Sequence, residues 1–207
     1  MKRIVIFIVM LFTFFTLVGC DKSHLCSLDI LCSNENISVI VEGESYKSFT
    51  YSSNAFNSQP KDRYSFIDFT ANEDNNSNAK MHKFEITSLV DDTCNLSLKL
   101  VDANKYVIDF LRVAIIIDGE LRVYKYYDKN EEIYHKEDDP DSILHFNSKS
   151  DIFNGLTVEL SSGEPKEVIV FIWIEEAELY DKNGERYTGW ADKSYDASPI
   201  MLSMEVK

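Results

Sequence analysis

Four histidines, four cysteines and a large excess of carboxylates are the groups in this chain that could do chemistry. His24, His82, His135 and His145 stand singly. None has a second histidine four residues on to share a helical face, so the HExxH pattern of zinc peptidases is absent. Cys20, Cys26, Cys32 and Cys94 follow no paired zinc-knuckle spacing. Cys26 and Cys32 could close a small disulfide loop in an oxidising compartment. Hard cations need clustered oxygen ligands, which makes Asp138, Asp139 and Asp141 the candidate calcium ligands, just after alternating Asp128, Asn130 and Glu132. Asp181, Asn183 and Glu185 begin like an EF-hand loop, but Gly184 falls at the fourth position instead of the sixth and no closing glutamate follows. That stretch reads as a turn. With no GxSxG elbow and no Gly-rich phosphate loop, the sequence assigns no catalytic residue and no cofactor.

Cys20 has a different context. Lys2 and Arg3 precede an apolar run from Ile4 to Val18, which gives the form of a secretory signal. The run is shorter than the roughly 20 residues that a spanning helix needs. Its end, Leu17-Val18-Gly19-Cys20, resembles the lipobox of bacterial lipoproteins. The resemblance implies that residues 1–19 are removed and that the Cys20 thiol carries diacylglycerol. Two acyl chains satisfy the two-signal requirement for stable membrane anchoring, each buried CH₂ contributing about 0.8 kcal/mol. The expected location is the cell membrane, facing away from the cytoplasm. Residues 20–36 then read as the lipidated cysteine and a flexible tether, and residues 37–207 as one domain with length enough for a substantial core.

The formal net charge is −14, and loss of Lys2 and Arg3 with the leader would deepen it by two. So acidic a surface repels phosphate backbones, which argues against a nucleic-acid partner.

The elements available to position any site are strands. Ile37 to Val41, His82 to Leu89, Cys94 to Val101 and Pro199 to Val206 alternate or cluster apolar residues at strand spacing. Phe84 and Ile86 are expected to meet Leu96, Leu98 and Leu100 as cross-strand neighbours. Tyr64 to Phe69 alternates as well. Asp118-Gly119, between Phe110–Ile117 and Glu120–Tyr127, favours a type I′ turn and predicts a hairpin. Val113 to Ile117 is continuously apolar, as a strand covered on both faces would be. Glu167 to Glu176 is apolar enough to cross a core and takes Trp173 with it. Trp190 either covers an end of the fold or stacks on a partner. About ten short strands with polar loops predict an all-β, antiparallel β-sandwich, Ig-like or jelly-roll.

Phe84–Leu100, then FLRVAIIIDGELRVY, then LSSGEPKEVIVFIWIEE, then PIMLSMEV resemble the TasA/camelysin-like secreted proteins of Gram-positive bacteria, with Leu111–Ala114 and Ile172–Glu175 the most specific pieces. Glu176 to Leu179 stand where those relatives carry a glycine and an acidic loop. The resemblance implies a β-sandwich with a binding or structural role at the cell surface or in a fibrous matrix, through self-association or a protein partner paired at a strand edge. It also implies an alternative, a camelysin-like envelope peptidase, and the clustered carboxylates leave another, a calcium-dependent adhesive module.

Overall fold

The computed structural model describes residues 25–54, 69, 79–103, 108, 111–126, 134–135, 143–146, 151–174, 179–180 and 200–207. These residues form an antiparallel-dominated β-sandwich, as the alternation predicts. Its five-stranded sheet has the order β11-β6-β14-β1-β4 and its seven-stranded sheet the order β10-β8-β7-β12-β5-β2-β3. In chain order the strands are β1 (Leu25–Cys32), β2 (Ile37–Val41), β3 (Glu44–Tyr46), β4 (Ser48–Asn54), β5 (Lys80–Ser88), β6 (Asp92–Ala103), β7 (Leu111–Ile117) and β8 (Glu120–Tyr126). They continue with β9 (Tyr134–His135), β10 (Ile143–Phe146), β11 (Asp151–Leu160), β12 (Lys166–Ile174), β13 (Leu179–Tyr180) and β14 (Ile200–Val206), β9 and β13 forming a separate pair. Two pairings are parallel, β1 with β14 and β8 with β10.

The expectation of a flexible tether through Asn36 is corrected here. Leu25–Cys32 is an interior strand, paired with β14 on one side and β4 on the other. Its inward residues Cys26, Leu28, Ile30 and Cys32 are buried. The period-two alternation of CSLDILC, hidden by its modest hydrophobicity, is what buries them. Cys26 and Cys32 therefore cannot close a loop. Six residues of extended strand hold them roughly 20 Å apart, far beyond disulfide reach, and all three described cysteines are free.

The pairing expected between His82–Leu89 and Cys94–Val101 is also replaced. β5 and β6 lie in opposite sheets, because the turn at Leu89–Asp91 carries the chain across the sandwich. Phe84 and Ile86 are buried with Leu96, Leu98 and Leu100 in one core, but they come from facing sheets. Ser162 and Gly163 brace the crossing: the Gly163 amide donates to the Ser88 carbonyl at 2.9 Å and the Ser162 hydroxyl to the Leu89 carbonyl at 2.8 Å.

The Asp118-Gly119 hairpin forms as the sequence predicts. Both residues have positive φ, 53° and 78°, as a type I′ turn requires. Its strand β7 is covered on both faces. Leu111, Val113 and Ile115 enter the inter-sheet core, while Ala114 and Ile116 join Phe171, Trp173, Val123 and Ala79 in a second cluster on the outer face of the seven-stranded sheet. Phe69 stands edge-on to Phe171 and Trp173 there, at 5.3 and 5.9 Å. The rest of Tyr64 to Phe69, and Trp190, lie outside the described residues.

Candidate functional site

Where the two sheets end determines the site. The seven-stranded sheet is wider, and its strand β8 faces β11, the edge of the narrower sheet. Tyr124 of β8 and Phe153 of β11 pack ring on ring at 5.1 Å and close the sandwich there. Toward the hairpin the sheets part, leaving a wedge of about 320 Å³. Its floor is Ile115 and Ile117 of β7 with Leu156 and Val158 of β11. Ile117 and Leu156 are only half-buried, although they stand in inward rows whose other members are buried.

Charge replaces apolar side chains on the wall. Along β8 the inward positions are Glu120, Arg122 and Tyr124, since Tyr124 belongs to the inter-sheet core and Val123 to the outer cluster. Arg122 Nη2 lies 3.2 Å from Glu120 Oε2. Above them Lys166 Nζ reaches both Asp118 carboxylate oxygens, at 2.8 and 2.9 Å. Such exposed pairs contribute about 0–1 kcal/mol each. Glu159, also on the rim, has no ion-pair partner among the described residues.

β11 itself is the longest of the four sheet-edge strands. Register shifts at Asp151/Phe153 and Asn154/Leu156, with Gly155 at φ 81°, blunt its first half. From Leu156 to Leu160 its pairing with β6 is regular. Among the described residues no strand pairs with the outer side of this half, which lies directly beside the wedge. The signal in the sequence is the change of phase in ELRVYKY: Leu121 and Val123 alternate toward one face, then Tyr124 turns to the other.

The sequence-predicted site residues are not gathered here. Cys20 and the candidate calcium ligands Asp138, Asp139 and Asp141 lie outside the described residues. His135 falls on β9 and His145 on β10, in different sheets. Among the described residues no group of three or more His, Cys, Asp and Glu could hold a metal ion, and no helix is long and apolar enough to cross a membrane.

Among the described residues, three cysteines and one histidine that could do acid–base or nucleophilic work, Cys26, Cys32, Cys94 and His82, are sealed from solvent. Burial pushes the Cys26 thiol up to about 12 and Cys94 to about 11, and it raises Cys32 as well. All three are protonated at neutral pH and poor nucleophiles. His82 is buried at 5% exposure, stacked on Tyr51 with ring centroids 4.8 Å apart. Desolvation, and secondarily the charge of Lys80, lower its pKa to about 4. The folded state therefore excludes a proton that the unfolded state, with a pKa near 6.5, accepts. The stabilisation is complete above pH 6.5 and is lost as pH falls toward 4, at about 1.4 kcal/mol per unit and about 3 kcal/mol in all. Urea titrations at pH 7 and pH 4.5 should show this loss in the parent chain. The His82→Phe variant should flatten it, and an unchanged slope in that variant would assign the effect to other groups.

No protein-family model matches the chain, and no curated protein matches it. Among solved structures, the collagen-binding domain of the Erysipelothrix rhusiopathiae surface protein RspB aligns with 84% of this chain at 12% identity, with a TM-score of 0.18. The chain spans 60% of that structure's length.

Proposed function

We propose that this protein is a lipid-anchored module of the bacterial cell surface, facing away from the cytoplasm, that binds a protein partner or another copy of itself along a sheet edge and performs no catalytic step. The lipobox at Leu17–Cys20 supports the anchor. The observation that carries the binding role is the regular half of β11, a strand edge unpaired among the described residues and set beside a wedge with an apolar floor. Backbone hydrogen bonds along such an edge supply affinity, and pockets for alternate side chains supply selectivity. Sealed thiols and a neutral, buried His82 favour binding over chemistry at the described residues.

Two measurements test this reading. Expressed in its bacterial host, the chain should incorporate radiolabelled palmitate and fractionate with membranes. Cys20→Ala should abolish the label and leave the leader of residues 1–19 in place, seen as a larger mass on the gel. A Cys20→Ala protein that still takes up palmitate would overturn the anchor. Light scattering on the purified full chain in non-ionic detergent, with and without calcium, should show assembly or a complex with matrix protein. A chain that stays monomeric and retains no protein from matrix or cells would overturn the binding role. Assembly only with calcium would favour the adhesive alternative.

A further inference from the structure

Resting on that reading and deepening it, we infer that the partner is an extended segment alternating aliphatic with basic side chains, which docks as a sixth strand of the five-stranded sheet against residues 156–160. Geometry sets the location. The ends of the two sheets offer four edges. β3 has three residues and β10 four. β4 is fastened across the sandwich, the Tyr51 hydroxyl donating to the Lys83 carbonyl at 2.5 Å while its ring stacks on His82. β11 has ten residues, and its bulges are confined to the half near Phe153. Among the described edge residues, the half from Leu156 onward combines regular backbone with a space behind it.

The space sets the alternation. A strand paired with 156–160 sends every second side chain inward, beside Leu156 and Val158 and over Ile117. These positions favour aliphatic groups, because the floor is apolar and Ile117 and Leu156 are still half-exposed without an occupant. The intervening side chains point outward, beside Thr157 and Glu159. Thr157 is satisfied, its hydroxyl donating to Asn95 Oδ1 at 3.0 Å. Glu159 is the rim carboxylate without a described counter-charge, whereas Asp118 and Glu120 are paired with Lys166 and Arg122. A lysine or arginine opposite Glu159 is the complementary choice, and the formal charge of −14 draws cationic partners from a distance.

The probe is acetyl-(Val-Lys)₃-amide, with acetyl-(Val-Glu)₃-amide as its charge-reversed control, titrated into the isotope-labelled full chain in non-ionic detergent and followed by amide and methyl NMR. The lysine peptide should shift the amides of 156–160 and the Ile117 methyl groups in a saturable manner, and the glutamate peptide should bind at least roughly tenfold more weakly. Glu159→Lys should remove or invert that preference while leaving the spectrum folded. Leu156→Asp should weaken both peptides. Equal binding of the two peptides, or an unaltered preference in Glu159→Lys, overturns the charge assignment. Shifts confined to β3, β4 or β10 overturn the location yet leave edge binding standing. Protection, without peptide, of those amides among 156–160 that point away from β6 would show that this chain covers its own edge, and would overturn the inference. The membrane and light-scattering measurements decide the broader reading independently.

Discussion

A chain from which Leu25–Cys32 has been deleted will not fold. β1 is paired through seven residues with β14 and through seven with β4. Removing it exposes one edge of each and detaches β4 from the five-stranded sheet, whose order ends β14-β1-β4. Leu28 and Ile30, at 0% and 1% exposure, would be missing from the core; burial of each contributes about 1.5–3 kcal/mol. Each lost ladder hydrogen bond adds a net ~0.5–1.5 kcal/mol. The total is of order 10 kcal/mol, comparable with the whole stability of an ordinary domain. Circular dichroism and amide dispersion check this directly. Chains starting at Leu25 and at Asn34 should differ as folded and unfolded, and a dispersed spectrum from the shorter one would refute the role given to β1. A single change, Leu28→Asp, should act in the same direction by burying an unpaired carboxylate.

Trp173→Ala is expected to cost about 3–5 kcal/mol, the range for removing a large aromatic from a packed interior. Its side chain is fully buried, yet it lies on the outer face of the seven-stranded sheet. Phe171 is two residues away on the same strand, Phe69 meets the ring at 5.9 Å, and Arg112 is the cross-strand neighbour. The indole Nε1 makes no hydrogen bond among the described residues. Trp173→Phe therefore forfeits no donor and should cost only about 1–2 kcal/mol, from lost volume. Chemical denaturation of the two variants separates the contributions. A phenylalanine variant as unstable as the alanine one would mean that the indole nitrogen is bonded after all. Arg112 shares this face at 0% exposure and Lys125, opposite it in register, at 4%. Arg112 Nη1 donates to the Leu111 carbonyl at 3.1 Å. Two buried cations in one row make this cluster intolerant of charge changes as well as of cavities.

The hairpin and the double coverage of β7 were legible because Asp-Gly and an unbroken apolar run each have one dominant structural meaning. β1 was not legible. CSLDILC alternates as cleanly as PIMLSMEV, but it comes a few polar residues after the lipobox-like Leu17–Cys20, where a tether is the ordinary expectation. β5 and β6 were recognised as strands and placed wrongly, since alternation reports which residues face inward and not which sheet they belong to. A turn such as Leu89–Asp91 can close a hairpin or cross a sandwich, and Ser162 and Gly163, more than 70 positions downstream, brace the crossing. The wedge was hidden for the same reason. Nothing in ELRVYKY says which of its faces meets the other sheet; the outer cluster claims Val123, which turns Glu120 and Arg122 inward.

The direction of β1 also has a mechanical meaning. Leu25 lies at one end of the five-stranded sheet, and residues 156–160 lie toward the other, beside Leu96, which joins Val206 and Cys32 in register. If Cys20 is held in a membrane and a partner is held at β11, tension between them runs nearly parallel to the strands. β1 would then be pulled lengthwise between two ladders, one parallel and one antiparallel. Their hydrogen bonds must slip together, because neither ladder can open one rung at a time from an end. With both ends so held, the strand that the sequence disguised as a leash would be the element that carries the tensile load between them.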